Sequence, residues 1–366
     1  MTVDLGSLGW DAEFAAAYAK FDVRGQRPAR VTRMDRGIAT VQTARGTDRA
    51  SLGGCHLLRV SRDPLALPCA GDWVVVRTWP DKRVTVEAVL PRRTQIVRAN
   101  ANEESRGQVL AANVDVAAVI EPMDPAPDFG RIERLLSLAW DSGARPVVLL
   151  TKADLVGDPD AVAEQIAESA PGADVYPVSG QTGHNVDVVR SFVAPGRTLG
   201  LLGASGAGKS TLVNALAGAT VMATQQIRRA DGRGRHTTTF RSLIPLPGLG
   251  AVLDTPGIRA VGVFAGGVDE AFSDIEAFAV ACRFANCQHG GEPECAVWAA
   301  VENGDLPLRR LESWRKLQRE LAWQARRREA RAMHAGAMQA GATQPGVPWK
   351  YRSGAEMRVI RRVRET

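Results

Sequence analysis

The spacing of apolar positions changes several times along the chain, and each change marks a different kind of element. Near the N-terminus Trp10, Phe14, Tyr18 and Phe21 recur at helical intervals. They predict a short helix within residues 1–27 whose stripe packs onto a neighbour. From 28 to 96 the pattern shortens to alternation, with β-branched residues and Gly/Pro punctuation. RVTRMDRGIATVQTARG predicts two strands around Asp35-Arg36-Gly37, and GDWVVVRTW and VTVEAVLP predict two more. Several short strands in so small a segment predict an OB-fold-like barrel.

From 97 to 264 continuous apolar strands alternate with helical stretches. The strands are Val114–Ile120, Pro146–Leu150, Asp174–Val178, Thr198–Gly203, Phe240–Pro245 and Ala251–Asp254, with helices such as Arg131–Trp140 and Asp160–Ser169 between them. Such alternation predicts a doubly wound α/β sheet. Residues 265–333 read as mostly helical. His334–Pro348, rich in Ala, Gly and Gln, predicts a flexible stretch, and residues 334–366 as a whole form a basic tail.

Composition adds a partner and a compartment. An apolar content of 45% and a charged content of 23% suit a soluble globular protein. The net charge of +6 is unevenly placed: residues 306–366 hold 15 Lys/Arg against 5 Asp/Glu, which leaves the rest slightly acidic. A basic end on a near-neutral body suits a polyanionic partner, or is simply a solvated helix. The five cysteines are odd in number and three cluster with a histidine, so metal binding in a reducing compartment is expected rather than a disulfide framework. No apolar run reaches the roughly 20 residues of a membrane span, and the N-terminus lacks a secretory pattern. A cytoplasmic protein without membrane contact is expected, acting as a monomer.

The strand TLGLLG runs into Gly203-Ala204-Ser205-Gly206-Ala207-Gly208-Lys209-Ser210, which opens the helical stretch STLVNALAG from Ser210 and Thr211 onward, a full match to G-x-x-x-x-G-K-[ST] in its required context. Small residues let backbone N–H groups wrap phosphates, and the helix N-terminus adds positive potential. Lys209 supplies a charge to the β- and γ-phosphates, and Ser210 offers a hydroxyl to Mg²⁺. A second strand ends in Asp254-Thr255-Pro256-Gly257. Asp254 can hold Mg²⁺ through water, and the N–H of Gly257 can meet the γ-phosphate.

Thr151-Lys152-Ala153-Asp154 follows the strand ARPVVLL and resembles the guanine-reading motif of GTPases. A carboxylate at Asp154 accepts two hydrogen bonds that guanine offers and adenine does not, so GTP is selected over ATP. Val178-Ser179-Gly180 resembles the loop that completes base contact. In the usual order these two motifs come last; here they come first. The site needs only that its loops meet at the carboxyl ends of the strands, so a circular permutation preserves it.

Between the phosphate loop and Asp254 lies the basic segment Gly232-Arg-Gly-Arg-His236-Thr237-Thr238-Thr239. A threonine there, such as Thr238, is expected to close on Mg²⁺ and γ-phosphate. Ile258 occupies the place where many GTPases orient water with Gln, so intrinsic hydrolysis is expected to be slow. His236 is a candidate catalytic residue or a phosphate or RNA contact. Cys282, Cys287, His289 and Cys295 fall within 14 residues, a closed set suited to one structural Zn²⁺.

TKAD, GASGAGKS, GRGRHTTT, DTPG and CRFANCQHGGEPEC together resemble the ribosome small-subunit-dependent GTPase family over most of the chain. The resemblance implies an OB-like barrel, a circularly permuted P-loop GTPase domain and a zinc-binding helical domain. It also implies binding to the small ribosomal subunit and its rRNA late in assembly, hydrolysis of GTP to GDP stimulated by that subunit, and consideration of His236 for catalysis. Thr151 for Asn, Gly180 for Ala and the Ala/Gly segment before Trp349 depart from the pattern. Two rivals stand beside this reading: a metal-handling GTPase, and a GTP-sensing module without turnover.

Overall fold

The turn at Asp35-Arg36-Gly37 sets the N-terminal architecture. Arg36 and Gly37 both have positive φ, 46° and 83°, as a two-residue hairpin requires. It joins β1 (Gln26–Asp35) to β2 (Ile38–Thr43); β3 (Gly46–Leu52), β4 (Trp73–Thr78) and β5 (Val84–Val89) follow. The strands pair in the order β1-β2-β3-β5-β4, and β4 returns to β1, closing a five-stranded barrel. Only β3 and β5 run parallel; every other pair in the barrel is antiparallel. This is the OB-like topology the alternation predicts. Its interior is small and branched: Val31, Val41, Val74, Val76 and Val86 are fully buried. These details come from a computed structural model that describes residues 4–23, 25–98, 107–222, 241–255 and 265–342.

The N-terminal helix spans Ala12–Ala19, started by Asp11, whose carboxylate accepts the N–H groups of Glu13 and Phe14. Its aromatic stripe packs on the barrel. Trp10 meets Trp73 of β4 edge-on at 4.9 Å between centroids. Arg30, buried in β1, donates to the Asn113 carbonyl at 3.0 Å and the Thr198 hydroxyl at 2.8 Å, fastening the barrel to the next layer.

A hairpin of β6 (Gln95–Arg98) and β7 (Gln108–Ala112) leads into the α/β sheet. That sheet comprises β8 (Val116–Pro122), β9 (Arg145–Thr151), β10 (Asp174–Pro177), β11 (Thr198–Gly203), β12 (Ser242–Pro245) and β13 (Ala251–Asp254). Their order is β10-β9-β8-β11-β13-β12, parallel except for β12. Strict alternation serves two faces. Val148 and Leu150 of β9 join the core with Ile132, Leu135 and Leu136 of the helix Phe129–Asp141. Val147 and Leu149 join Val189, Leu212 and Leu216 on the other side. Both faces are covered, which is why these strands read as unbroken apolar runs. β12 also pairs with β1 of the barrel, Arg33 opposite Ser242, so barrel and α/β sheet form one continuous sheet.

The C-terminal helices are Ala265–Ala271, Ser273–Ala279, Ala296–Asn303 and Leu308–Ala342. Val268, Phe272, Ile275 and Leu311 are buried in the same core as Ile132 and Leu135. The chain divides into a large unit, Met1–Leu321, and a small one, Ala322–Thr366, whose described part is the end of the last helix. That helix continues to Ala342, past His334 where composition predicts flexibility. Ala, Met and Gln are good helix formers, and they outweigh the two glycines of the stretch. Among the described residues no helix is long and apolar enough to cross a membrane.

Candidate nucleotide site and metal knuckle

The parallel strands end together. Pro122 lies opposite Thr151, Gly203 opposite Ile120, and Asp254 opposite Leu201. The guanine-type motif, the phosphate loop and the D-x-x-G aspartate therefore share one edge of the sheet, despite their permuted order in sequence.

The phosphate loop turns between β11 and the helix Lys209–Ala217. Gly208 has φ of 82°, and a Cβ there would lie 3.1 Å from the Thr151 hydroxyl oxygen. The Lys209 ammonium is buried and donates to the carbonyls of Gly203 at 2.8 Å and Ala204 at 2.7 Å. It is thus held over the loop rather than extended into solvent. Ser210 follows in the first turn. Asp254, 3% exposed, ends β13 beside β11, and the Thr255 hydroxyl donates to the Leu201 carbonyl at 2.5 Å. The Asp254 carboxylate at the end of β13 and the Ser210 hydroxyl in the first turn of the helix after β11 are oxygen donors of the kind Mg²⁺ takes.

Thr151 bridges the two halves of the site. Its hydroxyl donates to the Ala207 carbonyl at 2.7 Å, so the guanine-type motif braces the phosphate loop directly. The hydroxyl that remains in place of an amide is enough for this bond. Lys152, at φ of 61°, donates to the Asp124 carbonyl at 2.5 Å. Asp154 is exposed at the rim, and the buried Ser179 hydroxyl donates to its Oδ1 at 2.5 Å. Ser179 in turn accepts the N–H groups of Gln181 and Thr182, each at 3.2 Å, which fixes the following loop. A Cβ on Gly180 would sit 3.0 Å from the Thr211 backbone, so the glycine permits a close approach to the phosphate-loop helix. His236, Thr238, Gly257 and Ile258 lie outside the described residues.

Two neighbours carry no motif yet shape the site. Glu121, fully buried at the end of β8, accepts the Asp128 N–H at 3.0 Å and the Arg131 Nε at 2.8 Å. A lone acid in an apolar strand is the one signal that could have marked it. Asn214, in the phosphate-loop helix, had no such signal.

Cys282, Cys287, His289 and Cys295 bring their donor atoms within 4.8 Å of one another. Cys282 and Cys295 sulfurs are 3.9 Å apart, and the His289 Nδ1 lies 3.6 and 3.5 Å from them. A tetrahedral zinc with ordinary bond lengths needs separations of about 3.8 Å between sulfurs and about 3.6 Å from sulfur to nitrogen. The donor set fits that ion. Burial, aided by the charge of Arg315, pushes the His289 imidazole below its usual pKa, which favours the neutral ligating form. The Glu292 carboxylate accepts the N–H groups of Gln288 at 2.9 Å and Gly290 at 2.5 Å, bending the loop around His289. Backbone N–H groups, its own first and then that of Gln288, bring it down to about 2.

At the level of fold, the chain is similar to YjeQ from Thermotoga maritima (TM-score 0.57, 24% identity, 81% of this chain and 99% of that one). It is also similar to YloQ, described as a circularly permuted GTPase (TM-score 0.56, 23% identity, 82% of this chain and 96% of that one). The chain has the fold of these two structures.

At the level of sequence, the RsgA GTPase family profile matches residues 89–264. The small ribosomal subunit biogenesis GTPase RsgA of Streptomyces coelicolor is 49% identical over 90% of this chain and 89% of its own length. RsgA 2 of Lactiplantibacillus plantarum is 38% identical over 88% of this chain and 91% of its own. The chain belongs to the RsgA GTPase family, and it is a GTPase.

Proposed function

We propose that this GTPase acts in maturation of the small ribosomal subunit, hydrolysing GTP when the subunit engages it. The observation that carries the reading is the single sheet edge on which Thr151 bonds the phosphate loop at Ala207, with Asp154 and Ser179 on one side and Lys209 and Asp254 on the other. Relatives that share most of their length with this chain are named for small-subunit biogenesis.

In this reading Asp154 accepts the N1–H and exocyclic amine of guanine, aligned by the Ser179 hydroxyl, while the Lys152 stem covers the base. The loop N–H groups of residues 203–211 and the Lys209 ammonium hold the β- and γ-phosphates. Ser210 and Asp254 would hold Mg²⁺, which would supply positive charge to neutralise the phosphates. Thr238 and the Gly257 N–H complete the γ-phosphate contacts, and His236 stands closest in sequence to that segment as an aid to the attacking water. The Cys₃His knuckle would hold a structural Zn²⁺, and a set of four protein donors supports bracing over metal handling.

The barrel supplies a basic surface suited to rRNA. At the β4–β5 turn Arg77 and Arg83 flank the Trp79 ring at 4.2 and 5.6 Å, cations and a π-face side by side as a nucleic-acid surface requires. In the small unit Arg327 lies over Trp323 at 4.6 Å. β1 of the barrel pairs with β12, the strand that follows the His236 segment in sequence, so barrel and nucleotide-site sheet are continuous. That contiguity supports stimulation of hydrolysis by the bound subunit.

Two results are expected. Asp154→Asn shifts preference from GTP to xanthosine triphosphate by about a hundredfold or more, measured by competition binding; an unaltered GTP preference refutes the base-reading role. The chain loaded with a non-hydrolysable GTP analogue co-sediments with small subunits and is released with GDP. Equal recovery in both states, or none in either, overturns the proposed function.

A further inference from the structure

A buried acid ends a strand that is otherwise apolar throughout. Glu121 of β8 is fully buried among Val, Ala, Ile and Pro neighbours in sequence. A carboxylate removed from water is costly unless it is paired and hydrogen-bonded. Both of its oxygens are occupied. One accepts the Arg131 Nε at 2.8 Å; the other accepts the Asp128 N–H at 3.0 Å and a second N–H of the same guanidinium. Asp128 in turn caps the helix Phe129–Asp141, its carboxylate accepting the Arg131 N–H at 3.0 Å. The far end of the turn after β8 is therefore fixed to the strand it left.

The near end is fixed by the sheet, where the Met123 N–H donates to the Thr151 carbonyl at 2.8 Å. Between these anchors the Asp124 carbonyl accepts the Lys152 ammonium at 2.5 Å. Residues 123–128 thus meet the guanine-type motif at two successive positions, Thr151 and Lys152. Lys152 gains most from such a partner. It sits at φ of 61°, a region that residues with side chains seldom adopt. Its flexible four-carbon stem has many rotamers to lose. An ammonium already held by Asp124 leaves that stem ordered before a nucleotide arrives, and preorganisation of this kind strengthens binding. The Thr151 hydroxyl, by contrast, bonds the backbone of Ala207, so a side-chain change at Glu121 leaves the phosphate-loop brace in place.

We infer that Glu121 is a positioning residue for guanine binding, holding the turn 123–128 so that the Asp124 carbonyl presents Lys152 to the base. The inference rests on the assignment of Lys152 to the base in the proposed function above. Glu121 acts through Lys152 and not on the nucleotide itself. Its effect belongs to the base, which GDP and GTP share, and so leaves the chemical step alone.

The test is a double-mutant cycle in the full chain between Glu121→Ala and Lys152→Ala. Affinities for GDP and for a non-hydrolysable GTP analogue are measured, with kcat and KM for GTP in the presence of small subunits. Glu121→Ala is expected to weaken GDP and the analogue equally, by about tenfold, the effect of one lost hydrogen-bonded contact. KM rises with them and kcat stays within about twofold of wild type. In the Lys152→Ala background the same change is expected to cost no more than about twofold, because the side chain it positions is gone. Glu121→Gln keeps the Asp128 N–H bond and loses the charge that Arg131 meets. It is expected to show about a third of the tenfold loss, and it carries the cycle if the alanine variant does not fold. A loss undiminished in the Lys152→Ala background, or a kcat that falls as far as the affinity, shows general support of the sheet edge and overturns the inference. So does a Glu121→Ala variant that binds like wild type. If Lys152→Ala alone binds GDP as tightly as wild type, the assignment of Lys152 to the base fails, which that arm reports separately.

Discussion

Lys209→Ala is expected to lower GTP turnover by about 10² to 10³, with little change in folding. The ammonium is buried and pinned by the Gly203 and Ala204 carbonyls. In the proposed reading it is a preorganised charge at the place where phosphate charge develops, with no reorganisation needed at the moment of reaction. Alanine is acceptable at the first turn of a helix, so the fold survives the change. Lys209→Arg does not rescue, because a planar fork cannot replace a compact ammonium within so tight a loop. Single-turnover hydrolysis reads the effect directly. A loss of less than about threefold contradicts the assignment of Lys209 to the phosphates.

Arg310→Ala is expected to destabilise the protein by about 3–5 kcal/mol. Arg310 is fully buried, and its guanidinium reaches two acids on different elements. It donates to both Asp274 oxygens at 2.5 and 2.7 Å, to Glu133 at 3.0 Å, and to the carbonyls of Ser169 and Ala271 at 3.0 and 2.8 Å. The Phe272 ring lies under it at 4.5 Å. Removing the arginine leaves Glu133, 1% exposed, without its buried cation. Arg309, the other partner of that carboxylate, is 38% exposed in its side chain and only partly compensates. The penalty is mostly that stranded charge, not the lost attraction. Arg310→Lys recovers little, having three donors where five are used. Denaturant unfolding measures the loss; a change under about 1 kcal/mol contradicts the account of this junction.

The parts of the fold legible in the sequence are those whose burial is uniform. β11 and β13 begin and end where their apolar runs do, Thr198–Gly203 and Ala251–Asp254. β3 was not legible: in GTDRASL only Ala50 is fully buried, so no periodic signal survives. The hairpin of β6 (Gln95–Arg98) and β7 (Gln108–Ala112) was not read from the sequence either. Of the site, the phosphate loop and Cys/His set were legible because their chemistry demands particular residues at particular spacings. The bracing bond from Thr151 to Ala207 was not. It joins residues 56 apart, and only the register of β8, β9 and β11 brings them together. The Arg310 network was hidden likewise, since its partners come from three separate stretches of chain, around Glu133, Ser169 and 271–274.

The permuted order acquires a physical meaning from the same packing. The C-terminal helices follow closely on the D-x-x-G strand and share a core with the helix Phe129–Asp141. That helix in turn follows β8, whose end lies beside the phosphate loop. The strands of the nucleotide site and the knuckle-bearing helices thus share one continuous core.

The rate of GTP hydrolysis by the full chain, with and without purified small ribosomal subunits, tests the central claim most directly. Slow turnover alone, rising about a hundredfold or more with small subunits and unchanged by large subunits, is the predicted result. A rate that small subunits leave unchanged contradicts the account.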